Sequence, residues 1–117
     1  MGIIAYTGEI IVKDGRRVNL DNILRALYGL SDTDLKVLKI IETLGKAKID
    51  EISSKMNVNK STVIKSLKTL HSLGFIQREI LRNGNKGRPT FIYFINIKIE
   101  HKIKEDLESI VSALSKT

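Results

Sequence analysis

Between Ser31 and Gly74 the chain is cut by turn formers into apolar stripes of helical spacing, each too short to bury itself alone. Ser31-Asp32-Thr33-Asp34 sets a capping hydroxyl and early acids at the positive end of a helix, and Leu35, Leu38, Ile41 and Leu44 form its stripe up to Gly45. Lys46-Ala47-Lys48-Ile49 is too short for a helix and reads as a brief strand. Asp50 is expected to cap a third helix, Glu51 to Met56, with Ile52 and Met56 facing in. Asn57-Val58-Asn59 is the turn, and a fourth helix runs from Lys60 to Leu73 with Val63, Leu67, Leu70 and Leu73 buried, ended by Gly74.

The flanks follow from the same rules. Leu20 to Tyr28 reads as a short helix, with Ile23, Leu24 and Leu27 inward and Gly29 as its stop. Residues 1–19 read as extended, with Asp14-Gly15 a hairpin turn signal between Glu9–Lys13 and Arg16–Leu20. A two-stranded arm and an irregular chain both fit that pattern. Phe75 to Asn83 and Thr90 to Ile97 are expected to be strands, joined by Asn83-Gly84-Asn85-Lys86-Gly87-Arg88-Pro89. The only proline, Pro89, stands where a strand can begin. Glu100 to Ser115 is helical, and Ile99, Ile103, Leu107, Ile110 and Leu114 form a heptad-like seam. The expected fold class is mainly α with a small β-hairpin wing (α+β). It divides into an N-terminal extended arm or hairpin at 1–19, a central domain at 20–98 and a C-terminal helix at 99–117.

Charge points to the partner. The net charge of +7 is concentrated in residues 60–98, which hold eight Lys/Arg and one acid, Glu79. Residues 99–117 hold three Lys/Arg and four acids. A clustered basic surface is the electrostatic footprint of a nucleic-acid binder. Size and the absence of cysteine narrow the class further: 117 residues suit one domain, and disulfides and thiolate metal sites are excluded. No cofactor or metal is expected; His71 and His101, the two histidines, lack the neighbours of a metal site. There is no glycine-rich phosphate loop and no nucleophile with a base partner, so an enzyme is not expected. The start of the chain lacks signal-peptide and myristoylation patterns, and no apolar run is long enough for a membrane span, which together place the protein in the cytoplasm.

From residue 31 to 97 the order of elements resembles the winged helix-turn-helix transcription regulators of prokaryotes, closest to the MarR-like and TrmB-like groups. The residues that carry the likeness run from Ile49-Asp50-Glu51-Ile52-Ser53 through Lys60-Ser61-Thr62-Val63 to Leu67-Lys68-Thr69-Leu70 and His71-Ser72-Leu73-Gly74-Phe75-Ile76. Ser53 stands where helix three must approach helix four closely. Asn57 replaces the glycine usual in the turn, and asparagine is the best substitute in a left-handed conformation.

The resemblance implies a regulator that binds double-stranded DNA with helix four in the major groove. On that reading Asn59 caps helix four, Lys60, Ser61 and Thr62 enter the groove, and Lys65, Ser66 and Thr69 lie opposite the buried stripe. For Ser61 and Thr62 the alternative is ordinary first-turn capping. Arg82, Lys86 and Arg88 would place the hairpin on the backbone or in the minor groove, and Gly87-Arg88-Pro89 resembles the core of an AT-hook. A helix after the wing often pairs such regulators, which implies a homodimer through Ile99, Ile103, Leu107, Ile110 and Leu114; covering the domain's own core is the alternative role for that seam. Related MarR-like proteins bind small acids or phenols near the dimer interface, so a small-molecule effector is compatible, and no residue here identifies one. TrmB-like sugar sensors carry an added ligand domain, for which this chain has no room. Two rival readings remain: a winged helix used for protein contact, which calls for an acidic or apolar helix-four face, and an RNA binder, which calls for exposed aromatics. Exposure of Tyr93 discriminates the second.

Overall fold

The structure is a computed structural model, and it describes residues 3–4, 9–81 and 89–117. Eleven elements follow in order among these residues: β1 (Ile3–Ile4), β2 (Glu9–Ile11), β3 (Arg17–Asn19), α1 (Leu20–Tyr28), α2 (Asp32–Leu44), β4 (Lys46–Ala47), α3 (Ile49–Met56), α4 (Lys60–Ser72), β5 (Gln77–Leu81), β6 (Thr90–Phe94) and α5 (Ile99–Ser115).

The helix boundaries are set by local chemistry. Asn19 accepts a 2.7 Å hydrogen bond from the Asp21 amide and opens α1, and Gly29 closes it at φ 72°. Ser31 and Asp34 form a reciprocal box at the start of α2. The Asp34 amide donates to Ser31 Oγ at 3.1 Å, and the Ser31 amide donates to Asp34 Oδ2 at 3.0 Å. This explains how the buried Asp34 carboxylate is tolerated: two orphan helix donors are satisfied, one by each partner, and the charge sits at the positive helix end.

Helix α3 departs from expectation. It starts at Ile49 rather than Glu51, with Lys48 at the cap and Asp50 inside the first turn. The Lys48 amide donates to Glu51 Oε1 at 2.9 Å, so Glu51 reaching back, not Asp50, fixes the start. Asn57 does take the left-handed conformation, at φ 54°. Ser53 contributes more than small size, since its hydroxyl donates to the Val58 carbonyl at 2.6 Å and staples the turn. Asn59 occupies the cap of α4 by backbone alone. Its side chain makes no capping bond, and its carbonyl accepts from the Thr62 and Val63 amides.

Two antiparallel sheets flank the helices. In the first, order β1-β2-β3, Ile10 pairs with Val18 and Ile4 with Ile10, so the described residues of this segment pair as three strands rather than as irregular chain. The second has order β4-β6-β5, with Ala47 opposite Tyr93 and Leu81 opposite Thr90. β5 begins two residues later than the sequence suggests because Phe75 and Ile76 turn into the core ahead of it, and β6 ends at Phe94 rather than Ile97.

One apolar core joins all five helices. It contains Leu24, Leu38, Ile41, Ile52, Leu67, Leu70, Phe75 and Ile103, among others. Ile99 and Ile103 belong to this core, which corrects their assignment to a pairing face. They are buried within their own fold, and only the later turns of α5 are open.

Helix α5 is tied to α1 by a polar cluster. The Tyr28 hydroxyl donates to the Asp106 carboxylate, and Lys102 Nζ lies 3.2 Å from Asp106 Oδ2. The Tyr28 ring meets Phe75 edge-on at 4.7 Å, and the Lys102 ammonium sits over both rings. The hydrogen bond from Tyr28 holds the Asp106 carboxyl below its ordinary range; partial burial opposes this, and Lys102 assists it. Burial, then the Asp106 bond, pushes the Tyr28 hydroxyl up. A carboxylate with a depressed folded-state pKa adds stability above its unfolded value, near 4, and loses it as pH falls further. Tyr28→Phe should therefore cost about 1 kcal/mol at neutral pH and flatten the acid-side fall in melting temperature. Thermal melts between pH 3 and 7 check this; parallel curves for both proteins would exclude the linkage.

Candidate nucleic-acid interface

Helix α4 crosses behind α3 with Val63, Ser66, Leu67 and Leu70 inward. Ser66 is 3% exposed, so it cannot reach a partner and drops out of the expected contact set. It stands three residues after Val63 and four before Leu70, which puts it on the buried stripe, and its small side chain fits there.

The remaining α4 residues form a polar outer face. Lys60, Ser61, Thr62 and Lys65 are exposed, and Thr69 is half-buried. Neither the Ser61 nor the Thr62 hydroxyl makes a hydrogen bond among the described residues, so capping does not occupy them. Thr69 Oγ1 donates back to the Lys65 carbonyl at 3.2 Å, which leaves its lone pairs as an acceptor. The first turn carries no acid. The helix dipole, free amides and lysines there favour an anion.

Lys60 has a competing partner, since its Nζ lies 2.9 Å from Asp50 Oδ1, both side chains being exposed. An exposed pair of this kind is weak and readily exchanged for another anion. Asp50→Asn should tighten duplex DNA binding about two- to fivefold at low salt, with the gain vanishing as salt screens the site. Fluorescence anisotropy at two ionic strengths checks it, and no difference at low salt would show that Lys60 plays no part.

Sequence reasoning missed a second row. Lys68 and His71, four and seven residues after Ile64, line a groove of about 410 Å³ with Arg78 of β5. The Arg78 guanidinium lies 4.4 Å over the Phe91 ring. The lining includes no acid. Glu79, the one acid of this region, points to Lys46 at 2.9 Å instead, so it does not cancel the groove's charge. The i, i+4, i+7 spacing was readable; the approach of β5 was not. Tyr93 is 6% exposed and Phe91 is covered by Arg78, so the stacking platform required of an RNA binder is absent among the described residues. The α4 outer face is neither acidic nor dominated by apolar groups, against the protein-contact alternative. Arg82, Lys86 and Arg88 lie outside the described residues; the Leu81–Thr90 pair closes the described part of the hairpin.

The profile of the sugar-specific transcriptional regulator TrmB family matches residues 24–98, well over half the chain. The chain belongs to the TrmB family. The match runs from α1 to the residue before α5, so it spans the whole helix-turn-helix and wing of this TrmB-family protein and leaves out the N-terminal sheet and α5. An uncharacterized protein of Methanocaldococcus jannaschii is 24% identical over 70 residues, covering 60% of this chain; the chain spans 58% of that relative's length.

Among solved structures, a possible transcriptional regulator from Methanosarcina mazei superimposes with a TM-score of 0.74 at 23% identity, over 94% of this chain and 93% of that one. A protein from Sulfolobus tokodaii gives 0.65 at 26% identity, over 81% and 90%. A MarR variant from E. coli complexed with operator DNA gives 0.55 at 15% identity, over 72% and 58%. The fold is thus the winged helix of MarR-like and TrmB-like regulators. Among the described residues no helix is long and apolar enough to cross a membrane.

Proposed function

We propose that this TrmB-family chain is a cytoplasmic, sequence-specific regulator that binds double-stranded DNA as a homodimer. Helix α4 lies in the major groove, with Lys60, Ser61, Thr62, Lys65 and Thr69 toward bases and phosphates. Lys68, His71 and Arg78 follow the adjoining backbone. The β5–β6 hairpin, with Arg82, Lys86 and Arg88, meets the minor groove or its phosphates. The observation that carries this reading is the α4 outer face: free hydroxyls and lysines on a helix start without acids, in a fold that a MarR relative uses in its complex with operator DNA.

Two-fold pairing through the exposed part of α5 would double the contacts and set half-sites about one DNA turn apart, roughly 34 Å. Anisotropy titration against duplexes drawn from upstream regions and against shuffled sequences tests the proposal. The expected result is salt-sensitive binding to all duplexes with a preference of about a thousandfold or more for one of them, the order of specificity that regulators show. Equal affinity for every sequence would leave a general DNA binder; no binding at low salt would remove the DNA reading.

A further inference from the structure

Helices α1 to α4 keep their large apolar side chains buried or half-buried, with one exception: Ile64, on the outer face of α4, is 37% exposed. A lone apolar side chain on a surface is ordinary and carries no message by itself. The position of this one does. It stands four and three residues after Lys60 and Ser61 and four before Lys68, with Lys65 next to it, and all four of these are exposed. Polar groups thus surround the one side chain on this stretch that can neither donate nor accept a hydrogen bond. Ile49 and Phe91, which border the same groove, pack against the core, while Ile64 keeps more than a third of its surface open.

The place on the helix matters as well. Ile64 is the fifth residue of α4, about 6 Å along the axis from Lys60. In a helix laid in the major groove it is the N-terminal residues that meet base edges. The lysines on either side hold the helix to phosphates and fix its register without reading sequence. A β-branched side chain in a helix has one strongly preferred rotamer, so Ile64 presents a rigid surface and loses little freedom on contact.

The major groove offers such a group little. Guanine, adenine and cytosine present polar edges there, and thymine alone adds an apolar group, its C5 methyl. Against the other bases an isoleucine displaces water from donors and acceptors and returns no hydrogen bond. Against thymine the two apolar surfaces cover each other. Both effects favour the same base.

We infer that Ile64 is a specificity-determining residue that reads the methyl group of a thymine in the major groove. This rests on the duplex-DNA reading above and adds to it the chemical group that one side chain recognises.

A duplex selected by binding from a randomised pool is the probe. Each of its thymines is replaced in turn by deoxyuridine, which removes the methyl and leaves the pairing edge intact. In the parent protein at least one replacement should weaken binding about fourfold, the effect of uncovering one methyl-sized group. Ile64→Ala, at an exposed position, should keep the far-ultraviolet circular dichroism spectrum and bind the thymine and deoxyuridine duplexes within about twofold of each other, since the cycle removes both partners of one contact. Binding that no deoxyuridine replacement weakens would overturn the inference and leave the DNA reading intact. A methyl effect of the same size in the parent and in Ile64→Ala would assign the contact to another residue and overturn it too. No binding of any duplex at low salt would remove the DNA reading and this inference together.

Discussion

Replacing Lys60, Lys65 and Lys68 together by alanine reduces affinity for duplex DNA by roughly a hundred- to a thousandfold near physiological salt, the order expected when about three phosphate contacts are lost from each protomer. The dependence on salt falls with it. Each lost contact takes about 0.9 from the slope of log affinity against log salt. Because all three side chains are exposed, the fold and its melting temperature stay close to those of the parent. The three are unequal, since Lys60 starts from an ion pair with Asp50 while Lys65 and Lys68 lie on the open face and beside the Arg78 groove. Single variants should therefore rank Lys65→Ala and Lys68→Ala above Lys60→Ala. Titration at four or more salt concentrations measures both quantities. An unchanged slope in the triple variant would mean that α4 does not touch the phosphates.

Phe75→Ala costs about 3–5 kcal/mol, a large share of the 5–15 kcal/mol expected for the whole domain. Phe75 is among the largest fully buried side chains. It stands just after Gly74, where the chain leaves α4 for the second sheet, and it packs against Tyr28 and under Lys102. Its loss opens a cavity at the point where α1, α4 and α5 meet, so neighbours on three helices would have to move to fill it. For a chain of this length the melting temperature should drop by more than 10 °C, at roughly 4 °C per kcal/mol. Tyr28→Phe, which removes one hydrogen bond beside the same ring, should cost about a quarter of that. Differential scanning calorimetry on the pair separates the packing term from the polar one. Equal losses would show that the Tyr28–Asp106 bond, not the ring packing, anchors α5.

Much of this architecture is written in local signals. The stops at Gly29, Gly45 and Gly74 are read correctly because each sits at positive φ, which glycine adopts without steric cost. The Ser31 box and the left-handed Asn57 are equally local. The misreadings have physical causes. Ser66 looks like a contact residue by polarity, but helical geometry places it among Val63 and Leu70. Asp50 looks like a cap, but Glu51 reaches the Lys48 amide and begins α3 two residues sooner. Ile99 and Ile103 continue a seam that is periodic to Leu114, and periodicity alone does not say where a helix leaves the body. What escapes the sequence is long-range: Tyr28 meets Asp106 across 78 residues, Lys46 meets Glu79 across 33, and Arg78 comes beside Lys68 only through the register of β5 against β6. The candidate site was legible in its lysines and hydroxyls; its second basic row was not.

The central claim is that the outer face of α4 is where duplex DNA docks. The most direct measurement is backbone amide chemical-shift mapping by nuclear magnetic resonance as a duplex is added at low salt. The largest perturbations are expected on residues 60–69, His71 and Arg78, with the Leu107–Leu114 stretch of α5 unmoved. Perturbations centred on α5 or on the N-terminal sheet, with α4 silent, would contradict it.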